Sequence, residues 1–139
     1  MAKISVNEDY AASAASVWQK LSDFGGLADW MPGVKNCEVN GEGIGAVRTL
    51  AMGPVKIVEK LESLDDDACR LSYSLVEGPM PLKNFLATIE VSETSPSSCR
   101  VEWSAVFDLP GGVSEEKIAP GLERGYGGGL KALKPLVEG

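Results

Sequence analysis

Ser98-Cys99-Arg100-Val101-Glu102-Trp103-Ser104-Ala105-Val106-Phe107-Asp108 decides the fold. Cys99, Val101, Trp103, Ala105 and Phe107 fall on one face, and Arg100, Glu102, Ser104 and Asp108 on the other. Strict alternation over this length is a strand with one face in a core and the other in water. The period then changes. From Ser114 onward Ile118, Leu122, Tyr126, Leu130, Leu133 and Val137 recur at spacings of three or four, one apolar face of a long helix. Ser114 suits its N-cap, and Glu115 and Glu116 suit the positive end of its dipole. Gly125, Gly127, Gly128 and Gly129 interrupt it, each at a cost of roughly 1 kcal/mol against alanine. They predict a kink or a close approach to the sheet or to another chain.

Working back toward the N-terminus, period two persists through five more segments, at about 34–40, 45–52, 55–64, 68–76 and 83–92. Turn-rich separators join them: Asn40-Gly41-Glu42-Gly43, Gly53-Pro54, Leu64-Asp65-Asp66-Asp67, Glu77-Gly78-Pro79-Met80-Pro81 and Thr94-Ser95-Pro96-Ser97. Short strands on tight turns predict an antiparallel meander. Before it, Lys3 to Tyr10 reads as a first strand. Ser13 caps a helix expected to run through Val17, Trp18 and Leu21 to Phe24, and a second short turn follows at Leu27 to Trp30. The expected fold is α+β, one domain over residues 1–139: a seven-stranded curved antiparallel sheet, two short helices after strand one, and a long C-terminal helix covering the apolar face.

Composition narrows the function. The chain has 139 residues, 44% hydrophobic and 24% charged, in the range of globular domains. Its net charge of -7 opposes phosphate backbones and anionic membrane surfaces, so no nucleic acid and no membrane insertion are expected. Cys37, Cys69 and Cys99 are odd in number and widely spaced, unlike a zinc site or a disulfide framework, and read as reduced thiols in a cytoplasmic protein. No metal or cofactor is expected. The chain contains no histidine, which removes the commonest general base and any triad built on one. The glycine-rich run 125–129 lacks the Gly-Lys-Ser/Thr of a phosphate loop.

Two strands put a charge on the apolar face. Val55, Ile57, Glu59 and Leu61 share the inward face of one, while Lys56, Lys60 and Glu62 point out. Lys35, Cys37 and Val39 share a face of another. A charge on an apolar face is paired, wet or functional. One reading has Lys35 snorkelling from a strand end and Glu59 pairing with a neighbour. The other has both in a cavity walled by Tyr73, Phe85, Trp103 and Cys37.

The stretches Val17-Trp18 through Gly25-Gly26, Trp30-Met31-Pro32-Gly33-Val34, Gly43-Ile44-Gly45-Ala46-Val47-Arg48, Glu59 to Asp66, Leu71-Ser72-Tyr73-Ser74 and Pro81-Leu82-Lys83-Asn84-Phe85 resemble, in order and spacing, the START-like (SRPBCC, Bet v 1-like) superfamily. The branch they resemble most is that of polyketide cyclases/dehydrases and lipid transport. The resemblance spans about residues 3–136. It implies a helix-grip fold with a pocket between sheet and C-terminal helix. The plant abscisic-acid receptors are a sister resemblance. It implies that Lys35-Asn36-Cys37 supplies a lysine for a ligand carboxylate, that Glu59-Lys60-Leu61 supplies a pocket glutamate, and that Tyr73 is a pocket aromatic. The receptors' gate loop is shortened here to Met52-Gly53-Pro54-Val55, and Met80-Pro81-Leu82 stands where their latch would be. Trp30-Met31-Pro32 replaces the Trp-His-Pro frequent in the first branch.

The expected ligand site is Lys35, Cys37, Met52, Ile57, Glu59, Tyr73, Leu82, Phe85, Trp103, Leu122 and Tyr126. The expected partner is a small, largely apolar molecule (lipid, polyketide-like or aromatic acid), bound by a monomer or weak homodimer. Gly78 to Leu82 is expected to be a lid. Two further readings stand beside simple binding. One is a cyclase or dehydratase with Glu59, Lys35 and Tyr73 as acid-base groups. The other is a protein-interaction module that uses the apolar 78–82 loop.

Overall fold

A computed structural model describes residues 1–138. The strands are β1 (Ala2–Tyr10), β2 (Asn36–Asn40), β3 (Val47–Met52), β4 (Val55–Asp65), β5 (Arg70–Glu77), β6 (Lys83–Ser95) and β7 (Ser98–Asp108). The helices are α1 (Ala14–Leu21) and α2 (Glu115–Val137), with a 3-10 turn at Leu27–Asp29 between α1 and β2. All seven strands form one sheet in the order β1-β7-β6-β5-β4-β3-β2. Every pairing is antiparallel. The sheet is the expected meander, closed at one side by β1 returning to β7.

The helix-grip architecture follows from where the apolar faces lie. Val101, Phe107, Leu130 and Leu133 are fully buried between β7 and α2, and Val17 joins them from α1. Ser13 caps α1 as expected, its Oγ accepting from Ser16 N at 3.2 Å. The helix stops three residues earlier than its periodicity predicts. Ser22 N donates to Trp18 O at 2.8 Å and the chain then turns, Gly26 N donating to Asp23 O at 3.0 Å. Phe24 is buried all the same, from a loop, which is why it continues the helical spacing. The second expected helix is a single 3-10 turn.

Two β-bulges curve the sheet. Val58 faces Glu77 but Glu59 faces Leu75, so Val76 is an extra residue on β5. Leu61 faces Tyr73 but Ser63 faces Ser72, so Glu62 is extra on β4. Bulges bend their strand and add twist. The second one also returns Leu64 to the inward face, opposite Leu71. Cys69, expected inside strand β5, lies in the turn before it with φ 52°.

The glycines of α2 divide. A Cβ on Gly129 would collide with Met31 Sδ and lie 3.4 Å from the Trp103 ring, so here helix and sheet touch. A Cβ on Gly125 would meet nothing within 4 Å.

Candidate functional site

Between the first half of α2 and the concave face of the sheet lies a cavity of about 190 Å³. The sheet supplies Arg48, Leu50 and Met52 from β3, Ile57 and Glu59 from β4, Tyr73 and Leu75 from β5, Phe85 from β6 and Trp103 from β7. The helix supplies Gly121, Leu122, Gly125 and Tyr126. Gly78, Pro79, Met80 and Leu82 line it from the loop between β5 and β6, and Leu27, Met31 and Val34 complete the wall. Gly121 and Gly125 line the cavity yet are exposed, so the cavity reaches solvent beside α2.

Nine of the expected residues line this space: Met52, Ile57, Glu59, Tyr73, Leu82, Phe85, Trp103, Leu122 and Tyr126. Two do not. Lys35 precedes the first residue of β2 and is exposed, at the free edge of the sheet. The alternation that put it inward was carried one residue past the strand's start. Cys37 is on the inward face opposite Leu50, but β2 is the edge strand, and its thiol contacts Phe24 O at 3.8 Å instead of the cavity. Burial pushes that thiol up, away from the reactive thiolate.

The cation of the cavity is Arg48. It stands directly opposite Glu59 in the β3–β4 register, on the same face. Its Nε and Nη2 both donate to Glu59 Oε1, at 2.8 and 2.7 Å. Nη1 donates to Phe24 O at 3.2 Å. The guanidinium lies over the Phe24 ring at 4.1 Å and over the Tyr73 ring at 4.8 Å, a setting in which an aromatic face attracts a cation. Among the described residues Arg48 and Glu59 are the buried charged ones. Burial pushes the Glu59 carboxyl above its usual range, while Arg48's charge and hydrogen bonds pull it back. Arg48 could have been found from the sequence: Ala46, Arg48, Leu50 and Met52 alternate in the same way as the strands already read.

A second polar group lines the cavity. Trp103 Nε1 donates to Tyr73 Oη at 3.1 Å, and Tyr73 Oη donates to Tyr126 Oη at 3.5 Å. The Tyr126 ring stacks on Trp103 with centroids 4.0 Å apart and planes 5° from parallel. Burial holds both phenols well above the usual tyrosine range, and the Glu59 charge adds to the effect. They act as neutral hydroxyls. Among the described residues no group of three or more His, Cys, Asp or Glu side chains is placed to hold a metal ion. Among the described residues no helix is long and apolar enough to cross a membrane.

The chain resembles several known proteins over nearly its whole length. It is 30% identical to the abscisic acid receptor PYL6 of Arabidopsis thaliana, over 96% of this chain and 67% of that one. The solved structure of XoxI from Bacillus cereus superposes with a TM-score of 0.90 at 34% identity, covering 99% of this chain and 96% of that one. Norcoclaurine synthase of Thalictrum flavum, solved with dopamine and hydroxybenzaldehyde, superposes with a TM-score of 0.82 at 22% identity, covering 97% and 85%; that likeness concerns the fold alone. Residues 1–138 match the family described as polyketide cyclase / dehydrase and lipid transport, and the chain belongs to that family.

Proposed function

We propose that this chain works in the cytoplasm as a single-domain carrier or sensor that binds one small, largely apolar molecule between its sheet and α2. The observation that carries the reading is the cavity itself. Its wall is mostly aliphatic and aromatic, and its polar groups are confined to the Arg48–Glu59 pair and the Tyr73–Tyr126 hydroxyls. Ligand sites are built this way, with apolar walls and a few placed polar groups. The abscisic acid receptor among its relatives bears a small-molecule ligand in its name, which supports the same use of the shared fold.

The volume sets the ligand's size. An apolar cavity of roughly 150 Å³ accepts benzene. About 190 Å³ suits a compound of one or two rings, and a longer chain would extend through the opening beside Gly121 and Gly125. An acid-base pair of Lys35 and Glu59 is not assembled, because Lys35 is outside the cavity. Met80 and Leu82 face the cavity, which favours the 78–82 loop as its lid over a docking surface.

Native mass spectrometry of the freshly purified protein, followed by denaturing extraction, tests the proposal. A small apolar molecule released in stoichiometric amount is the expected result. A protein that is empty, and also indifferent to fatty acids, sterols and small aromatic compounds, would refute it.

A further inference from the structure

The hydrogen bonds at the cavity have a direction, and that direction specifies the ligand. The Trp103 indole N–H can only donate, so Tyr73 Oη accepts from it at 3.1 Å. The Tyr73 and Tyr126 hydroxyls then share one long contact of 3.5 Å, drawn with Tyr73 as donor, which takes at most one of their two protons. The chain ends there. Tyr126 Oη accepts, and among the described residues its proton has no acceptor, although the residue is buried and lines the cavity. A buried donor without a partner is costly, so whatever fills the cavity supplies the acceptor.

The hydroxyl is held in place for this role. Stacking on Trp103 fixes the ring plane and with it the direction in which the hydroxyl points. Gly125 leaves the helix surface next to it free of side chains, and Arg124 Nη2 lies 3.9 Å from where a Cβ on Gly121 would stand.

The charges at the cavity also bear on the ligand. Arg48 is the cation at the cavity, and Glu59 already compensates it at 2.7 Å. Lys35, the expected partner for an acid, is exposed and outside. Inside the cavity a carboxylate ligand would lie beside Glu59, and among the described lining residues no cation but the committed Arg48 is there to meet it; unpaired charge does not leave water cheaply. The ligand proposed below therefore departs from the aromatic-acid expectation drawn from Lys35.

We propose that the cavity selects an uncharged molecule whose ketone or ester carbonyl oxygen accepts a hydrogen bond from Tyr126 Oη. The proposal rests on the cavity being the ligand site.

Three probes of one shape separate the two ideas: 2-acetylnaphthalene carries the carbonyl, 2-ethylnaphthalene lacks it, and 2-naphthoate is charged. Affinities are read by calorimetric titration of the wild type and Tyr126→Phe. The expected result is that the wild type binds the ketone roughly threefold to tenfold more tightly than the hydrocarbon, the range of one neutral hydrogen bond, with the naphthoate weakest. Tyr126→Phe then removes the ketone's advantage while the hydrocarbon's affinity stays, which also reports an intact fold. An advantage that survives Tyr126→Phe, or a naphthoate that binds best, overturns the proposal but leaves the cavity as the ligand site. Failure of all three probes to bind overturns both. Infrared spectra of the bound ketone need no variant. Its carbonyl stretch should lie below the value in hexane, and an unshifted stretch contradicts the bond.

Discussion

The two halves of α2 lie on the same sheet and are held in opposite ways. Toward its C-terminus the helix is locked. Leu130 and Leu133 are fully buried, Tyr10 Oη donates to Leu130 O at 2.6 Å, and Gly129 lets the backbone touch Met31 and Trp103. Lys134 reaches back to Asp9 O at 2.6 Å and Glu8 at 3.3 Å, and Glu138 accepts from Ala11 N at 2.9 Å. Toward its N-terminus the helix stands off the sheet. Ile118 and Leu122 are only half-buried, Gly121 and Gly125 are exposed, and the gap is the cavity. One amphipathic helix thus supplies stability at one end and a binding surface at the other. Well-packed ends tolerate little change, whereas an unfilled end has room for it.

The largest expected effect is at the cavity's ion pair. Arg48→Met keeps the shape but leaves Glu59 buried and unpaired, which costs about 3–5 kcal/mol at neutral pH. The loss depends on pH. The folded Glu59 carboxyl lies above its usual 4.5, so the folded state holds that proton more tightly than the unfolded chain does. Its contribution favours folding on the acid side and is lost as pH rises through the raised value. Urea titrations should therefore show Arg48→Met recovering stability relative to wild type as pH falls. Adding Glu59→Leu should restore most of the neutral-pH loss. A deficit that is flat with pH would mean that Glu59 is not the cause.

Leu130→Ala comes next, at about 2–5 kcal/mol, from a position with no exposure. Probe affinity in the protein that remains folded should not change. A parallel fall in affinity would show that the two halves are not independent.

The same substitution made in each half is the sharper comparison. Gly129→Ala removes a helix-disfavouring glycine but drives a methyl into Met31 and Trp103, and overpacking costs roughly 1–3 kcal/mol. Gly125→Ala meets open space and should stabilise by up to about 1 kcal/mol while weakening probe binding, because the methyl narrows the opening. Thermal unfolding midpoints that shift in opposite directions would support the division, and equal shifts would remove it. Lys134→Ala should cost about 1 kcal/mol or less, since its partners are partly exposed and salt-screened. A loss well above that would mean that the helix end is held mainly by this network.

The sequence made the locked half easy to read and the open half harder. Alternation in Cys99 to Phe107 and the spacing from Ile118 to Val137 carried the sheet and the helix, and the same alternation put Tyr73, Phe85 and Trp103 on the cavity wall. Glu59 was found because it broke the pattern. Its partner Arg48 broke the pattern in the neighbouring strand, but the pairing between strands was needed to set one against the other. Lys35 was placed by a periodicity carried past the start of β2, and Cys37 by the same periodicity, which says which face a residue is on. It does not say whether the strand is central or at the edge, and at the edge the inward face is not the cavity. The bulges at Val76 and Glu62 also leave no mark on a pattern of period two.

The most direct test of the account is an amide NMR titration with 2-ethylnaphthalene, run on the wild type and on Leu122→Trp, whose indole would fill the cavity. Shifts should gather on the lining residues, Arg48 and Tyr126 among them, and be lost in Leu122→Trp while the rest of the spectrum stays that of the folded protein. Shifts centred on the outer face of the sheet, or binding that survives the filled cavity, would contradict it.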